Sequence, residues 1–130
     1  MDDLTRAMTS ASSGMNSQGL RLRLVSENIA GADVPGFRRR LTAFETGLEE
    51  ASGAMRVAPG PVRLDQTPVG RVLEPGHPMA DASGMRPGTN VDPIIELADA
   101  RAASRAYEAS LNVFEQARRM RGSLLDLLRR

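Results

Sequence analysis

The chain has 130 residues, with 17 basic and 16 acidic side chains, a formal net charge of +1, and arginine at every basic position. This balance leaves no positive surplus for bulk nucleic-acid binding, and the absence of cysteine excludes disulfides, thiolate metal sites and cysteine nucleophiles. Four aromatic residues are too few to anchor an ordinary core in a globule of this length.

The prolines divide the chain into three parts. All eight lie between Pro35 and Pro93, and the stretches before and after contain none. Because proline interrupts helices, we predict an N-terminal helix within 1–33, an extended and β-rich middle segment over 34–90, and a C-terminal helix within 91–130. No apolar run is long enough for a membrane span, and no apolar stretch typical of a secretory signal follows the acidic N-terminus.

The first segment has alternating spacings of four and three between apolar residues, interrupted once by Gln18. The series is Leu4, Met8, Ala11, Met15, Leu22, Val25, Ile29 and Ala32. This spacing is typical of a coiled-coil seam. Leu20 and Leu24 lie off the seam and would be exposed on a two-helix hairpin, so we expect them to contact a further helix. We expect the helix to end near Gly31 in a left-handed cap, followed by a type II turn at Pro35–Gly36.

In the middle segment, we predict short extended pieces over Phe37–Glu45 and Met55–Val57, a loop over Thr46–Ser52, and a hairpin of Val62–Leu64 with Val69–Leu73. The prolines limit these pieces to edge strands or turns.

The last segment has a clear helix start, with Asp92 as N-cap and Pro93 at the first helical position. Its seam is Leu97, Ala100, Ser104, Tyr107, Leu111 and Phe114, drifting through Ala117 and Met120 to Leu124 and Leu127. A second face is small: Ala98, Ala102, Ala106, Ala109 and Val113. The two seams predict a mainly α fold in which the long terminal helices pair as an antiparallel coiled coil around a small Pro/Gly-rich middle region with short strands or a hairpin.

Few residues have the chemistry of a catalytic or metal site. The single histidine, His77, lies between Glu74 and Asp81 in a turn rich in proline and glycine, so we favour a structural turn over a metal site. Serine nucleophiles lack a second base and the usual elbow motif. We therefore predict no catalytic residue, no metal, no cofactor and no enzymatic activity.

Two basic clusters admit alternative interpretations. Arg38–Arg40 is suited to phosphate contacts, but the acidic residues that follow favour a solvated or internally paired strand. The basic C-terminus is suited to an anionic membrane surface, but its apolar residues continue the seam and favour contact with another helix.

Three motifs occur in order along the chain. They are SENIAGADVPGF at 26–37, EPGHPMADASG at 74–84 followed by NVD at 90–92, and SRAYEA at 104–109 followed by LNV at 111–113. The first resembles the N-terminal signature of bacterial flagellar rod and hook proteins. The second resembles a segment of the FlgC family of proximal-rod proteins, and the third resembles the C-terminal helix of the same group.

The resemblance implies a structural subunit of the flagellar basal-body rod, which self-assembles and co-assembles into the hollow shaft that transmits torque for motility. It implies export through the flagellar type III apparatus without a cleaved signal peptide, and a rod located in the periplasm. Expected partners are further copies, the rod components FliE, FlgB, FlgF and FlgG, and the export apparatus; neither nucleic acid nor a membrane span is expected.

The candidate assembly interface combines the two seams with the motif residue Asn28. It comprises Leu4, Met8, Met15, Leu22, Val25, Asn28, Ile29, Leu97, Tyr107, Leu111, Phe114, Met120 and Leu124. Two alternatives remain open at this point: another axial rod protein of the FlgB type, and a helical adaptor that binds a membrane surface or RNA.

Overall fold

A computed structural model describes residues 2–130 as two long helices joined by small two-stranded sheets. Helix α1 spans Asp3–Ala30 and helix α2 spans Pro93–Leu128. The Asp92 carboxylate accepts a hydrogen bond from the amide of Ile94 at 2.9 Å, which confirms the predicted start of α2. None of the helices in the described part of the chain is long and apolar enough to cross a membrane.

The middle segment contains six short strands that pair antiparallel, two by two. They are β1 (Arg40–Leu41), β2 (Phe44–Glu49), β3 (Ala54–Pro59), β4 (Arg63–Leu64), β5 (Arg71–Leu73) and β6 (Met85–Pro87). Strand β1 pairs with β4, β2 with β3, and β5 with β6. The β2–β3 hairpin packs along α1, so the middle segment lies against the first helix.

Two predictions for the middle segment are wrong. The first four residues of the predicted loop over Thr46–Ser52 belong to strand β2, which pairs with β3 through Leu48 opposite Met55 and ends at Glu49. The turn between the two strands is made by Gly53 at φ +66°. The hairpin of Val62–Leu64 with Val69–Leu73 does not form. Strand β4 returns to β1 and β5 pairs with β6, partners too distant in sequence for local patterning to identify.

The two helices contact each other along most of α1. Asn28 near the end of α1 bonds Glu96 in the first turns of α2, Arg21 bonds Asp99, and a Cβ added at Gly14 would lie 3.0 Å from Ser110 Oγ. The helices approach closely at Gly14 and Ser110, where both residues are small.

Over residues 96–107, the seam predicted for α2 is turned by about one residue from the face that α1 covers. Glu96 and Ala103 are buried there, whereas Leu97 and Tyr107 are exposed. Further along the helix the predicted seam is the covered face, since Ala117 is buried and Leu111 and Phe114 are half-buried. The predicted small face is not the covered one, because most of its residues are exposed: Ala98, Ala102, Ala109 and Val113.

Two details of α1 also differ from expectation. Leu24 is buried and lines a cavity with Leu41 and Phe44 of the middle segment, so it packs within this chain rather than against a further helix. Gly31 ends the helix as predicted but has φ −87°, which is right-handed backbone. The left-handed cap is therefore wrong.

Candidate assembly interface

A buried polar junction joins α1, the middle segment and α2. The side-chain amide of Asn28 donates to the carbonyl of Arg40 at 2.8 Å, and its oxygen accepts from the amide of Arg40 at 2.7 Å. The same Nδ2 also donates to Glu96 Oε2 at 3.2 Å. Because Asn28 and Glu96 are almost completely buried, each polar atom needs such a partner.

The carboxylate of Glu96 is paired within this junction. Arg39 Nε donates to Glu96 Oε1, and the guanidinium also donates to Asp99 at 2.8 Å. Arg21 approaches the other oxygen of Asp99 at 3.4 Å, and Asp65 lies 3.9 Å from Arg39. The hydrogen bond to Glu96 raises the pKa of the Arg39 guanidinium above its usual value.

Asn90 fixes the other side of the junction. Its oxygen accepts from the amide of Arg39 at 2.6 Å, and its Nδ2 donates to the carbonyls of Asp65 and Thr67 at 3.0 and 2.9 Å. Asn28 and Asn90, which belong to two separate sequence motifs, thus bond the main chain of two successive arginines. Asn90 bonds Arg39 and Asn28 bonds Arg40.

The arginine run is internally paired, as the sequence analysis favoured. Besides the contacts of Arg39, Arg40 donates to Glu27 at 3.0 Å and lies 5.8 Å from the centroid of the Phe37 ring. Arg38 donates to the carbonyls of Asp65 and Thr67. These donors are engaged within the chain.

The turn after α1 depends on two glycines. Gly36 has φ +77°, and the amide of Phe37 donates to the carbonyl of Val34 at 3.0 Å, which confirms the predicted type II turn. A Cβ at Gly31 would lie 2.5 Å from the Phe37 ring. Gly31 is therefore required for close packing rather than for its backbone angle.

Three serines on one face of α1 dock the β2–β3 hairpin. Ser13 Oγ accepts from the amide of Val57 at 3.0 Å, Ser17 donates to the carbonyl of Val57 at 3.2 Å, and Ser10 donates to the carbonyl of Met55. The sequence prediction missed this face. Its signal is the spacing of three and four residues between Ser10, Ser13 and Ser17, which is a helical stripe of hydroxyls.

The structure divides the thirteen predicted interface residues by exposure. The buried ones are Met8, Val25 and Asn28, and the half-buried ones are Leu4, Met15, Leu22, Leu111 and Phe114. The exposed ones are Ile29, Leu97, Tyr107, Met120 and Leu124. The buried and half-buried residues pack within this chain, and the exposed residues face away from it.

Further large apolar side chains on α2 are exposed and were not in the predicted set. They are Ile94, Ile95, Val113, Leu125, Leu127 and Leu128. Of these, Leu127 lies on the predicted seam and Val113 on the predicted second face, and the other four lie off both. Most of the bulky apolar surface of α2 is therefore available to something outside this chain.

The turn around His77 uses its polar groups internally. The amide of Met79 donates to His77 Nδ1 at 3.0 Å, Glu74 pairs with Arg86, and Asp81 pairs with Arg71 and accepts from Ser83. The hydroxyl and amide of Ser83 and the amide of Met85 hold the pKa of Asp81 below its usual value. These contacts are those of the structural turn favoured from the sequence.

Comparison with known proteins identifies the family. Residues 82–127 match the family described as flagellar basal body rod FlgEFG protein C-terminal. The flagellar basal-body rod protein FlgC of Agrobacterium fabrum is 41% identical, with 99% of this chain and 98% of the relative aligned. The FlgC proteins of Salmonella typhimurium and Aquifex aeolicus are 34% and 29% identical, over 90% and 88% of this chain and 92% and 89% of the relatives. The chain, with its Asn28–Arg39–Asn90 junction, belongs to the FlgC family of flagellar basal-body rod proteins.

Proposed function

We propose that this chain forms the proximal part of a hollow flagellar rod, in which α1 and α2 pair as an antiparallel coiled coil and the outer face of α2 packs against neighbouring subunits. Membership of the FlgC family makes it a structural subunit of the flagellar basal-body rod and not an enzyme.

The observation that carries the proposal is the outward face of α2. Leu97, Tyr107, Met120 and Leu124 are each at least 38% exposed, although α2 runs beside α1. Large exposed apolar surfaces on otherwise folded chains mark interaction sites. A neighbour that covers this face would supply the hydrophobic burial that a chain with so few aromatic residues lacks.

The coiled-coil arrangement is supported by the order of contacts between the helices. Residues near the end of α1 meet the start of α2, and Met8 near the start of α1 shares a groove with Phe114 and Arg118. We propose that the functional organisation is the helical segment 1–33, the middle segment 34–90 and the helical segment 91–130, with the middle segment fixing the register of the helices.

The partners that follow are further copies and the neighbouring rod components FliE, FlgB, FlgF and FlgG. We also propose that the subunit reaches the rod, in the periplasm, through the flagellar type III export apparatus without cleavage of a signal peptide. A rod subunit has to cross the inner membrane before it can assemble, and the exposed apolar face of α2 is suited to contacts made after export.

The test places charge on the outer face of α2 in a flagellated strain that carries only this copy of the gene. Leu97→Asp and Tyr107→Asp should abolish swimming in soft agar and remove the chain from isolated basal bodies, because a carboxylate cannot be buried unpaired at an interface. Leu73→Asp is the matched control, since Leu73 is an equally bulky exposed residue on β5.

Export is measured separately, as the amount of each variant outside the inner membrane. Reduced incorporation with unchanged export supports a role of this face in assembly. Normal swimming and normal basal-body content in both α2 variants would contradict the proposal.

A further inference from the structure

The two outer edges of the β2–β3 hairpin differ in how their main-chain groups are used. On β3, the amide and carbonyl of Val57 and the carbonyl of Met55 are bonded by serine hydroxyls of α1. In the antiparallel register, Val57 lies opposite Thr46 and Met55 lies opposite Leu48. The edge of β3 that faces away from β2 is therefore covered by the first helix.

The outer edge of β2 is not covered. Because Met55 and Val57 direct their main chain to α1, each forms a non-hydrogen-bonded pair with the residue opposite, so Thr46 and Leu48 direct their own amides and carbonyls away from β3. Strand β2 pairs with β3 alone within residues 2–130, and Thr46, Gly47 and Leu48 are all exposed. We call these outward main-chain groups of Thr46 and Leu48 the open edge.

One face of the hairpin is apolar beside the open edge. Leu48 and Met55 lie directly opposite each other, so their side chains share a face, and they are 62% and 56% exposed. Pro59 lies on the same face and is also exposed. A strand added at the open edge would place its alternate side chains against this apolar face.

The unpaired charges along β2 are acidic. Glu45 and Glu50 lie at the two ends of the exposed stretch, and both side chains are exposed. Glu49, which lies between them, is paired with Arg56 at 2.5 Å. Within residues 2–130, neither Glu45 nor Glu50 forms an ion pair.

The arginines near the hairpin lie away from the open edge. Arg56, Arg118 and Arg121 line a groove between the hairpin and the two helices. Arg6 is held in an ion pair by its own helix, and Arg63 belongs to the neighbouring β1–β4 sheet. The open edge itself therefore carries negative charge at both ends.

We propose that the open edge binds an extended segment of another polypeptide, which adds a third strand to the hairpin. That segment has arginine or lysine opposite Glu45 and Glu50 and apolar side chains opposite Thr46 and Leu48. In this kind of recognition, main-chain bonds supply affinity and alternate side chains supply specificity. The contact goes beyond assembly through the outer face of α2 and uses none of its residues.

A second copy of the same edge is the less favourable occupant. Antiparallel pairing of two β2 strands would bring the Glu45 and Glu50 side chains of both copies to one edge, with no free basic residue there to compensate them. A basic extended segment instead neutralises these charges.

Amide hydrogen exchange of the full chain, followed by NMR, tests the open edge directly. In the free chain the amides of Thr46 and Leu48 should exchange without protection, whereas those of Gly47 and Glu49, which bond β3, should be protected. Equal protection of all four amides would show that the edge is already covered and would overturn the inference. Protection of Thr46 and Leu48 that appears only as the concentration of the chain rises would assign the edge to a second copy and would also overturn it.

The probe for binding is the synthetic peptide acetyl-Arg-Thr-Val-Thr-Val-Arg-Val-amide. Paired antiparallel, it places arginine opposite Glu45 and Glu50 and valine opposite Thr46 and Leu48. An excess of this peptide should slow exchange at Thr46 and Leu48 by more than about tenfold, because each amide then has a main-chain partner. Exchange that remains unprotected in excess peptide would contradict the proposal.

Three altered peptides separate charge from main-chain pairing, with affinity measured by calorimetry. Glutamate in place of both arginines should weaken binding by more than about tenfold, because like charges then meet. N-methylation of the two central valines removes amides that face β2 and should abolish binding, whereas N-methylation of the two threonines, whose amides face away, should not. Equal affinity of the glutamate peptide or of the valine-methylated peptide would overturn the inference.

Variants of the chain give a matched test. Thr46→Pro removes an outward amide but no bond to β3, so the circular dichroism spectrum should be unchanged while peptide affinity falls by more than about tenfold. Thr46→Ala keeps the amide and should bind like the wild type. Wild-type affinity in a folded Thr46→Pro chain would overturn the inference.

Charge reversal does not depend on the proline variant. The double variant Glu45→Arg with Glu50→Arg should bind the glutamate peptide more tightly than the arginine peptide, which is the reverse of the wild-type preference. A double variant that keeps the wild-type preference would show that these two acids do not select the partner, and would overturn the inference.

Discussion

The side chain of Asn28 bonds the main chain of Arg40 in the way a neighbouring β-strand would, accepting from the amide at 2.7 Å and donating to the carbonyl at 2.8 Å. A residue of the first helix thereby completes the edge of β1. Since Glu96 of α2 accepts from the same amide group, one asparagine connects all three segments of the chain.

Replacing Asn28 should therefore destabilise the whole fold. Asn28→Ala leaves the buried main chain of Arg40 without its partner, and we expect a loss of about 2–4 kcal/mol in the free energy of unfolding. Asn28→Asp should cost more, because a carboxylate next to Glu96 adds repulsion between like charges. Urea unfolding followed by circular dichroism measures both. Asn16→Ala, at an exposed position of the same helix, should change stability little; equal effects at both sites would contradict this role of Asn28.

Glu96→Gln tests the buried ion pair. Glu96 is completely buried and bonds Arg39, whose remaining contacts are with Asp99 and Asp65. Because Asp99 and Asp65 still compensate the charge of Arg39 in this variant, the cost should lie below the value of about 3–5 kcal/mol for a buried charge left without any partner. The thermal midpoint of Glu96→Gln should fall well below that of Glu108→Gln, which alters an exposed glutamate on the same helix. Similar midpoints for the two variants would show that the pair contributes nothing net to stability.

Gly31→Ala tests close packing at the end of α1. The added methyl group would lie 2.5 Å from the Phe37 ring, so the ring has to move, and we expect a loss of about 1–3 kcal/mol as for an overpacked core. Combining it with Phe37→Leu should recover part of the loss, seen as coupling in a double-mutant cycle. Gly19→Ala is the control, because nothing lies within 4 Å of an added Cβ there. It should stabilise the helix by about 0.5–1 kcal/mol; a loss at Gly19 equal to that at Gly31 would refute the packing explanation.

Stability should decrease in acid. The hydroxyl of Thr67 lowers the pKa of Asp65 and the hydroxyl of Ser83 lowers that of Asp81, so each folded-state pKa lies below its unfolded value of about 4. The unfolded chain then binds more protons in this window. The contribution is complete above pH about 4 and is lost as the pH falls through the folded-state values. Urea midpoints measured from neutral to acidic pH should decline below pH about 4, and less steeply in Asp81→Asn. An unchanged decline in that variant would rule out Asp81 as a contributor.

The sequence predicted the elements whose determinants are local. Asp92 and Pro93 identified the start of α2, and Pro35–Gly36 identified the type II turn, because a cap or a turn depends on residues within a few positions of each other. The three motifs likewise predicted the family to which the chain belongs. Short strands were harder: β4 and β5 each pair across more than ten residues, and local patterning carries no information on which strand is the partner.

The candidate interface also has a part that the sequence predicts and a part that depends on tertiary contacts. The spacing of apolar residues predicts a bulky side of α2 and places that side against α1. The tertiary structure turns small residues such as Ala103 inward and leaves Leu97 and Tyr107 outward, because close helix approach depends on both partners at once. Neither helix's pattern contains that information alone.

By itself, the sequence determined two long helices around a broken middle segment, the N-cap of α2, the type II turn after α1, and the motifs that identify the family. Only the tertiary structure decided what the polar motif residues do. Asn28, Arg39, Asn90 and Glu96 are up to 68 residues apart, and their roles exist only when α1, the middle segment and α2 come together. A buried hydrogen-bond network is set by three-dimensional proximity, whereas caps and turns are set by neighbours along the chain.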